Sequence, residues 1–390
     1  MKSMAWLTTI SHTALAASAM ALSATVTAQA GDDNLAFLPR AIVSSTSPAN
    51  GDLNPYGIAF VPPEFPAGGS ISAGDVLVSN FNNSGNTQGT GTTIISLKLN
   101  GAVAPAVTPP GSSGNAVTFF QSSPQQVGLS TALGVLKAGF VLVGNVPTSS
   151  GAEPLGQGSL QIIDRNGNLL TTLVDGNFLN DPWDLTINDQ GSEAQVFVSN
   201  VANGTSTNGT VTRLDLAITP TNVTVSRRTI VATGYAVTPN AAAVVLGPTG
   251  LAYDPFTDVL FVASTGDNAI FAVPGAGKAA FPTVQGTLVF SDPHLRGPLG
   301  LAFAPNGHLL TANGDAVNAD PTHPSEIVEF TVSGKFVRES NFDAFQGAAF
   351  GIATKLLPHT RFNFAAVNDD TNMVEVFGVR PPDDELALGQ

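Results

Sequence analysis

Short apolar runs recur along this chain, and six of them stop in the same way. The first three are Val76-Leu77-Val78-Ser79-Asn80, Val141-Leu142-Val143-Gly144-Asn145 and Val196-Phe197-Val198-Ser199-Asn200. Leu260-Phe261-Val262-Ala263-Ser264, Leu309-Leu310-Thr311-Ala312-Asn313 and Phe364-Ala365-Ala366-Val367-Asn368 complete the set. Five of the six stops are asparagine, and the spacings between them are 65, 55, 64, 49 and 55 residues. A strand with a fixed polar ending at that period marks one supersecondary unit copied around an axis.

A second motif precedes the endings. Pro55-Tyr56-Gly57-Ile58, Pro182-Trp183-Asp184-Leu185, Pro248-Thr249-Gly250-Leu251 and Pro298-Leu299-Gly300-Leu301 open four units, and Gly128-Leu129-Ser130 and Gly351-Ile352-Ala353 are degenerate copies. Proline suits the first residue of a strand, where no ladder N–H is needed. Glycine keeps the strand slim where units converge. Third strands are expected over residues 93–97, 160–163, 211–216, 269–273, 327–330 and 373–377, and fourth strands over 117–120, 169–174, 223–231, 288–290 and 336–338. Turn pairs such as Asn166-Gly167 join them. The expected fold is all-β: a six-bladed β-propeller with four antiparallel strands per blade. The sixth unit lacks an outer strand, and residues 35–43 have the strand character to supply it and close the ring. Closure removes a sheet edge open to aggregation.

The run Leu260-Phe261-Val262-Ala263-Ser264-Thr265-Gly266-Asp267-Asn268-Ala269-Ile270 resembles the core of NHL repeats, in which a strand ends in Asp before a Gly-Asn-rich turn. With the Pro-x-Gly-Leu-Ala openings, residues 50–380 look like an exported, bacterial-type NHL propeller. The departure is at the strand end, where asparagine stands five times and Ser264 once.

Composition adds location and excludes partners. Lys2, the alanine-rich stretch 14–26 and Ala28-Gln29-Ala30 read as a cleaved secretory signal peptide over residues 1–30, with a periplasmic or secreted product. One propeller domain is expected over 31–380 and an acidic, aperiodic tail over 381–390. Removing the signal leaves 14 basic and 29 acidic residues. That surface disfavours nucleic acid and anionic membranes. No later apolar run is long enough for membrane insertion, and a monomer is expected. The absence of cysteine excludes disulfides, thiolate catalysis and thiolate zinc sites.

The openings, the polar endings and the second-to-third-strand loops share one rim in an up-and-down blade. Those loops are long in four units, 81–92, 146–158, 201–209 and 314–325, and long loops on a rigid scaffold are where binding concentrates. Asn80, Asn145, Asn200, Asn313 and Asn368 have two readings: structural locks bonded to nearby backbone, or amide oxygens lining the channel mouth. Neutral amides hold Ca²⁺ weakly, so a cation site there needs Asp184, Asp315, Asp369 or Asp370. Trp183 beside Asp184 suits a sugar or a cationic ligand, or packs between blades while Asp184 caps a turn. Tyr56 holds the matching place in the first unit. Asp315 and His323 lie in the densest group of potential ligands, residues 313–324, which also reads as a rigid loop.

The leading expectation is therefore an exported, non-catalytic propeller that needs no cofactor and binds a small molecule or partner protein on the loop-rich face. The alternative resembles the gluconolactonase-like propellers: a hydrolase of lactones or esters, dependent on Ca²⁺ or another divalent cation, with Asp184, Asn200, Asn313 and Asp369 as nominated ligands. A channel mouth filled by apolar side chains would count against a small-ligand site there.

Overall fold

Every polar ending pairs with the opening of its own unit, and this pairing sets the geometry of the fold. In the computed structural model, Pro55 lies opposite Asn80, Leu129 opposite Asn145, and Pro182 opposite Asn200. Pro248 faces Ser264, Pro298 faces Asn313 and Ala349 faces Asn368. A register shift follows each of these six pairs before regular pairing resumes. The structure describes residues 36–99, 117–149, 151, 157–201, 208–314, 326–341, 349–356 and 362–380. The expected signal peptide and acidic tail lie outside them.

Six antiparallel sheets result. The first contains Leu53–Phe60, Val76–Asn82, Thr93–Leu97 and Val117–Gln121; the second Leu129–Leu136, Phe140–Asn145, Ser159–Asp164 and Leu169–Leu173. The third has Pro182–Asp189, Glu193–Asn200, Asn208–Thr219 and Asn222–Ala236, and the fourth Pro248–Asp254, Val259–Ser264, Ala269–Pro274 and Thr287–Phe290. Pro298–Phe303, Leu309–Asn313, Glu326–Phe330 and Phe336–Asn341 form the fifth. In the sixth, Ala349–Leu356, Phe362–Asn368 and Met373–Arg380 are joined by Ala36–Ser45, which pairs antiparallel with Met373–Arg380. Each innermost strand packs against the innermost strand of the next sheet, and Ala349–Leu356 packs against Leu53–Phe60, so the contacts run in a complete circle. The protein is a six-bladed β-propeller, with no helix among the described residues.

Two elements do not follow from the repeat. Thr238–Asn240 and Val244–Leu246 form a small hairpin between the third and fourth blades, with Val244 in the left-handed region at φ 63°. Thr283–Val284 adds a parallel fifth strand to the long outer strand of the third blade. Neither carries a period-matched sequence signal.

The core is divided by blade interface. Separate apolar clusters join blades one and two, two and three, three and four, four and five, and five and six. At the interface between blades six and one, the cluster extends further. There Ile58, Val78, Val367 and Val376 are continuous with Tyr56, Phe81, Trp183, Leu299 and Phe350. These last five come from blades one, three, five and six, so they meet across the axis at the opening rim.

Hydroxyls link the blades where apolar contact ends. Ser79 Oγ accepts from Gly57 N (3.0 Å) and donates to Ser130 O in blade two (2.8 Å). Ser199 repeats the device, accepting from Asp184 N (3.0 Å) and donating to Thr249 O in blade four (2.8 Å). Thr249 Oγ1 then donates to Pro298 O of blade five (2.9 Å). The opening glycines explain how close the inner strands come. A Cβ on Gly351 would lie 2.1 Å from Tyr56 O, one on Gly250 2.3 Å from Leu299 O, and one on Gly300 2.6 Å from Phe350 O.

This approach makes a direct prediction. Gly351→Ala must push two inner strands apart and is expected to cost about 3 kcal/mol or more, the upper range for overpacking. Gly307→Ala, where φ is +79° and nothing lies within 4 Å of the added Cβ, should cost about 1 kcal/mol. Urea denaturation compares the two; equal midpoints would refute the close approach.

Candidate functional site

The asparagine side chains at the opening rim hold backbone. Asn145 Oδ1 accepts from Ser159 N (2.8 Å) and Ser159 Oγ (2.7 Å), while its Nδ2 donates to Val127 O (2.9 Å). Asn200 Oδ1 accepts from Asn180 N (3.0 Å) and Asn313 Oδ1 from Arg296 N (2.9 Å). Asn313 Nδ2 also donates to His294 O (2.8 Å). Asn80 Nδ2 donates to Thr46 O (3.0 Å) and Thr93 Oγ1 (3.2 Å), and Asn368 Oδ1 accepts from Thr371 N (3.1 Å). All five are buried. In blades two, three and five the amide grips the segment arriving two residues before the innermost strand. This is the geometry of the structural-lock reading. In blade four, Ser264 Oγ donates instead to Asp267 Oδ2 (2.6 Å).

Tyr56 and Trp183 lie inside the axial cluster. Tyr56 is 2% exposed and Trp183 1%, with ring centroids 5.8 Å apart; Tyr56 also stacks on Phe81 at 4.7 Å and lies 4.6 Å from Phe350. Val244 and Val245 of the unforeseen hairpin join them. Burying one such side chain is worth ~1.5–3 kcal/mol, so re-exposing four would cost on the order of 10 kcal/mol. A micromolar ligand supplies ~8. A micromolar ligand would lose binding energy of that same order in displacing these side chains, so the filled axis disfavours a small-ligand seat at this rim. The Trp183 indole N–H is buried without a partner among the described residues.

Asp184 occupies the glycine position of the opening in blade three. Its Oδ1 accepts from Leu185 N (2.7 Å), and the carboxylate also meets the Leu251 backbone of blade four. Burial raises its pKa well above the carboxylate range, against the pull of those two bonds. Asp181, missed by the sequence reading, is fully buried three residues earlier, with φ 60°. Its Oδ1 accepts from Gly158 N (2.6 Å), while Oδ2 has no partner among the described residues. Burial pushes its pKa up to about 7. An Asn-Asp-Pro step before a strand is ordinary turn chemistry, so no sequence signal separated this carboxyl from many others.

Three of the four nominated cation ligands are engaged in local structure. The Asn200 and Asn313 oxygens are committed to backbone N–H groups, and Asp369 sits in the tight turn closed by Asn372 N to Asp369 O (3.1 Å). Among the described residues no group of three His, Asp or Glu side chains could hold a metal ion. Asp315 and His323 lie outside the described residues.

Two concavities bounded by described residues are on the opposite face, where first-to-second hairpins and third-to-fourth turns lie. A cleft of about 760 Å³ runs between blades three and four. Beside it, a depression of about 340 Å³ reaches blades one and two through Pro62, Val135 and Lys137. Asn188, Tyr253 and Pro255 line both. In the cleft, Arg213 is 2% exposed and holds Asp215 through Nε (2.9 Å) and Nη2 (3.3 Å), while Nη1 donates to Ala276 O of blade four (2.7 Å). Asp258 Oδ1 accepts from Gly277 N (2.6 Å) and the Tyr253 hydroxyl (3.0 Å). Burial, with the adjoining Asp258 carboxylate, pushes the Tyr253 phenol up to about 12. The floor is thus a rigid, hydrogen-bonded polar network spanning two blades.

Comparison with known proteins speaks to the fold. No family model and no curated protein matches the sequence, so the NHL resemblance of the 260–270 segment has no family match behind it. Among solved structures, a luciferin-regenerating enzyme is similar over 89% of this chain and 96% of its own, at 9% identity and a TM-score of 0.52. A gluconolactonase from Xanthomonas campestris is similar over 87% and 89%, at 13% identity and a TM-score of 0.50. A calcium-binding regucalcin from Agrobacterium tumefaciens covers 87% and 96%, at 12% identity and a TM-score of 0.45. At 9% and 13% identity, the likeness to the first two shows the propeller fold alone.

Asp181 gives a pH prediction. Its folded pKa of about 7 lies above the ordinary 3.8, so its contribution to stability is full below pH ~4 and is lost as pH rises through 7. Asn tolerates positive φ and keeps the Gly158 bond. Asp181→Asn is therefore expected to melt above wild type at pH 8, by as much as ~4 kcal/mol of stability, and to converge with it below pH 4. A pH-independent difference in circular-dichroism melting would refute the buried-acid assignment.

Proposed function

We propose that this chain is a non-catalytic ligand-binding propeller whose small-molecule seat is the cleft between blades three and four. The seat is on the hairpin face, and the loop-rich rim expected from sequence supplies the scaffold. The observation that carries this is the pairing of a filled axis at the opening rim with a rigid polar cleft, about 760 Å³ in volume, on the other face. Clefts of ~300–1,000 Å³ with a few placed polar groups are the usual seats of small ligands.

The test is thermal melting of the mature protein against small hydroxylated molecules, neutral, cationic and anionic, in wild type and in Ala217→Trp. Ala217 is exposed and lines the cleft, so an indole there obstructs part of it. A ligand at 100 times its Kd adds ~2.7 kcal/mol. At least one compound should raise the wild-type Tm and leave Ala217→Trp unmoved. Equal responses from both proteins would place binding elsewhere.

The second reading, hydrolysis of a lactone or ester, is the activity suggested by the name of the Xanthomonas protein. Asp181 supports it: a buried carboxyl with a pKa near 7 is matched to general-base work at neutral pH. Proton release from glucono-δ-lactone at pH 7, with EDTA, Ca²⁺ or Zn²⁺, tests it. Hydrolysis above background that is lost in Asp181→Asn supports this reading, and a background rate under every condition removes it.

A further inference from the structure

We propose that the cleft selects small hydroxylated organic anions, a hydroxy acid or sugar acid, with Arg227 as the residue that meets the carboxylate. This rests on the cleft being the ligand seat. The whole chain is strongly acidic, 29 Asp and Glu against 15 Lys and Arg. The cleft departs from that balance, because three basic and three acidic side chains line it. An anion therefore meets less repulsion there than over the rest of the surface.

The arrangement of those charges gives the direction. Two of the three carboxylates are already satisfied within the floor. Asp215 holds the Arg213 guanidinium, and Asp258 takes Gly277 N–H and the Tyr253 hydroxyl, with Lys278 Nζ 3.6 Å from its Oδ2. The third, Glu193, is exposed at the rim. On the cationic side, Arg227 is exposed and makes no ion pair with any described residue. Its neighbour Arg228 turns away to Asp175 (3.2 Å). Lys278 is 88% exposed, so its contact with Asp258 leaves the ammonium open to a ligand. The three bonds of Arg213 use three of its five N–H groups, and the other two have no partner among the described residues. The cleft therefore keeps one guanidinium, Arg227, with no ion pair to any described residue, and N–H donors beyond those its floor uses, while two of its carboxylates are engaged. A guanidinium meets a carboxylate bidentately. Gln195 is engaged with Asn188 (3.3 Å) and Gly277 O (2.8 Å), and Ser226 Oγ donates to Asp215 O (2.9 Å), so the Asn188 amide oxygen and the Ser226 oxygen are the groups suited to accept from ligand hydroxyls.

The test compares three probes on one ring skeleton, galacturonate, galactose and galactosamine, by calorimetric titration of the mature protein at low salt. Wild type should bind galacturonate at least tenfold more tightly than the other two, with affinity falling as salt rises. Arg227→Gln, an exposed change that leaves the floor intact, should weaken galacturonate about tenfold, the value of a charge-assisted bond, and leave galactose unchanged. If galactose binds as tightly as galacturonate and Arg227→Gln changes nothing, the anion assignment fails while the cleft remains the seat. If binding of any probe persists unchanged in Ala217→Trp, or none of the three binds, the cleft reading and its ligand class fall together.

Discussion

The closeness of six innermost strands around one axis is the constraint on which the rest of this structure depends. Backbone of one blade approaches backbone of the next so nearly that a single Cβ on Gly250, Gly300 or Gly351 would collide with a carbonyl or amide. At that distance the inner strands cannot be satisfied by their own ladders alone. Serine and threonine hydroxyls bridge them, with Ser79, Ser199 and Thr249 each donating to a carbonyl of the following blade. The buried asparagines of blades two, three and five fix the chain as it enters those blades, because an unpaired amide or carbonyl in that dry layer would cost ~1–3 kcal/mol. Closure of the ring and polar satisfaction at the axis are therefore one problem with one solution.

Function follows from where that solution leaves room. Aromatic side chains from blades one, three and six, with Leu299 from blade five, fill the axis at the opening rim, and the cluster there is continuous with the interface between the last blade and the first. Material that seals the ring also seals the mouth. Space survives on the other face, where the blades diverge and an Arg213–Asp215 pair with Tyr253 and Asp258 braces the gap between blades three and four. Buried, hydrogen-bonded polar networks of this kind are rigid, and rigidity is what a preorganised binding floor requires. The likeness to a luciferin-regenerating enzyme and a gluconolactonase, at 9% and 13% identity, shares the architecture and leaves chemistry to the residues at each site.

The sequence by itself determined the number of blades, the strand order and the common rim. Those depend on local alternation, proline at strand starts and asparagine at strand ends, all properties of neighbouring residues. Thr93–Leu97 was readable to the residue, and the long outer strand Asn222–Ala236 only in its middle. The candidate site was less legible. Trp183 drew notice as an aromatic beside Asp184 and Tyr56 as its counterpart in the first unit, and only packing across the axis shows them to be core. Arg213 and Tyr253 lie in ordinary strand patterns, and nothing in their neighbourhoods along the chain announces that they meet. Tertiary structure alone decided which residues fill the axis, which carboxyl is buried and which arginine pairs with no described residue, because each depends on residues brought together from different blades.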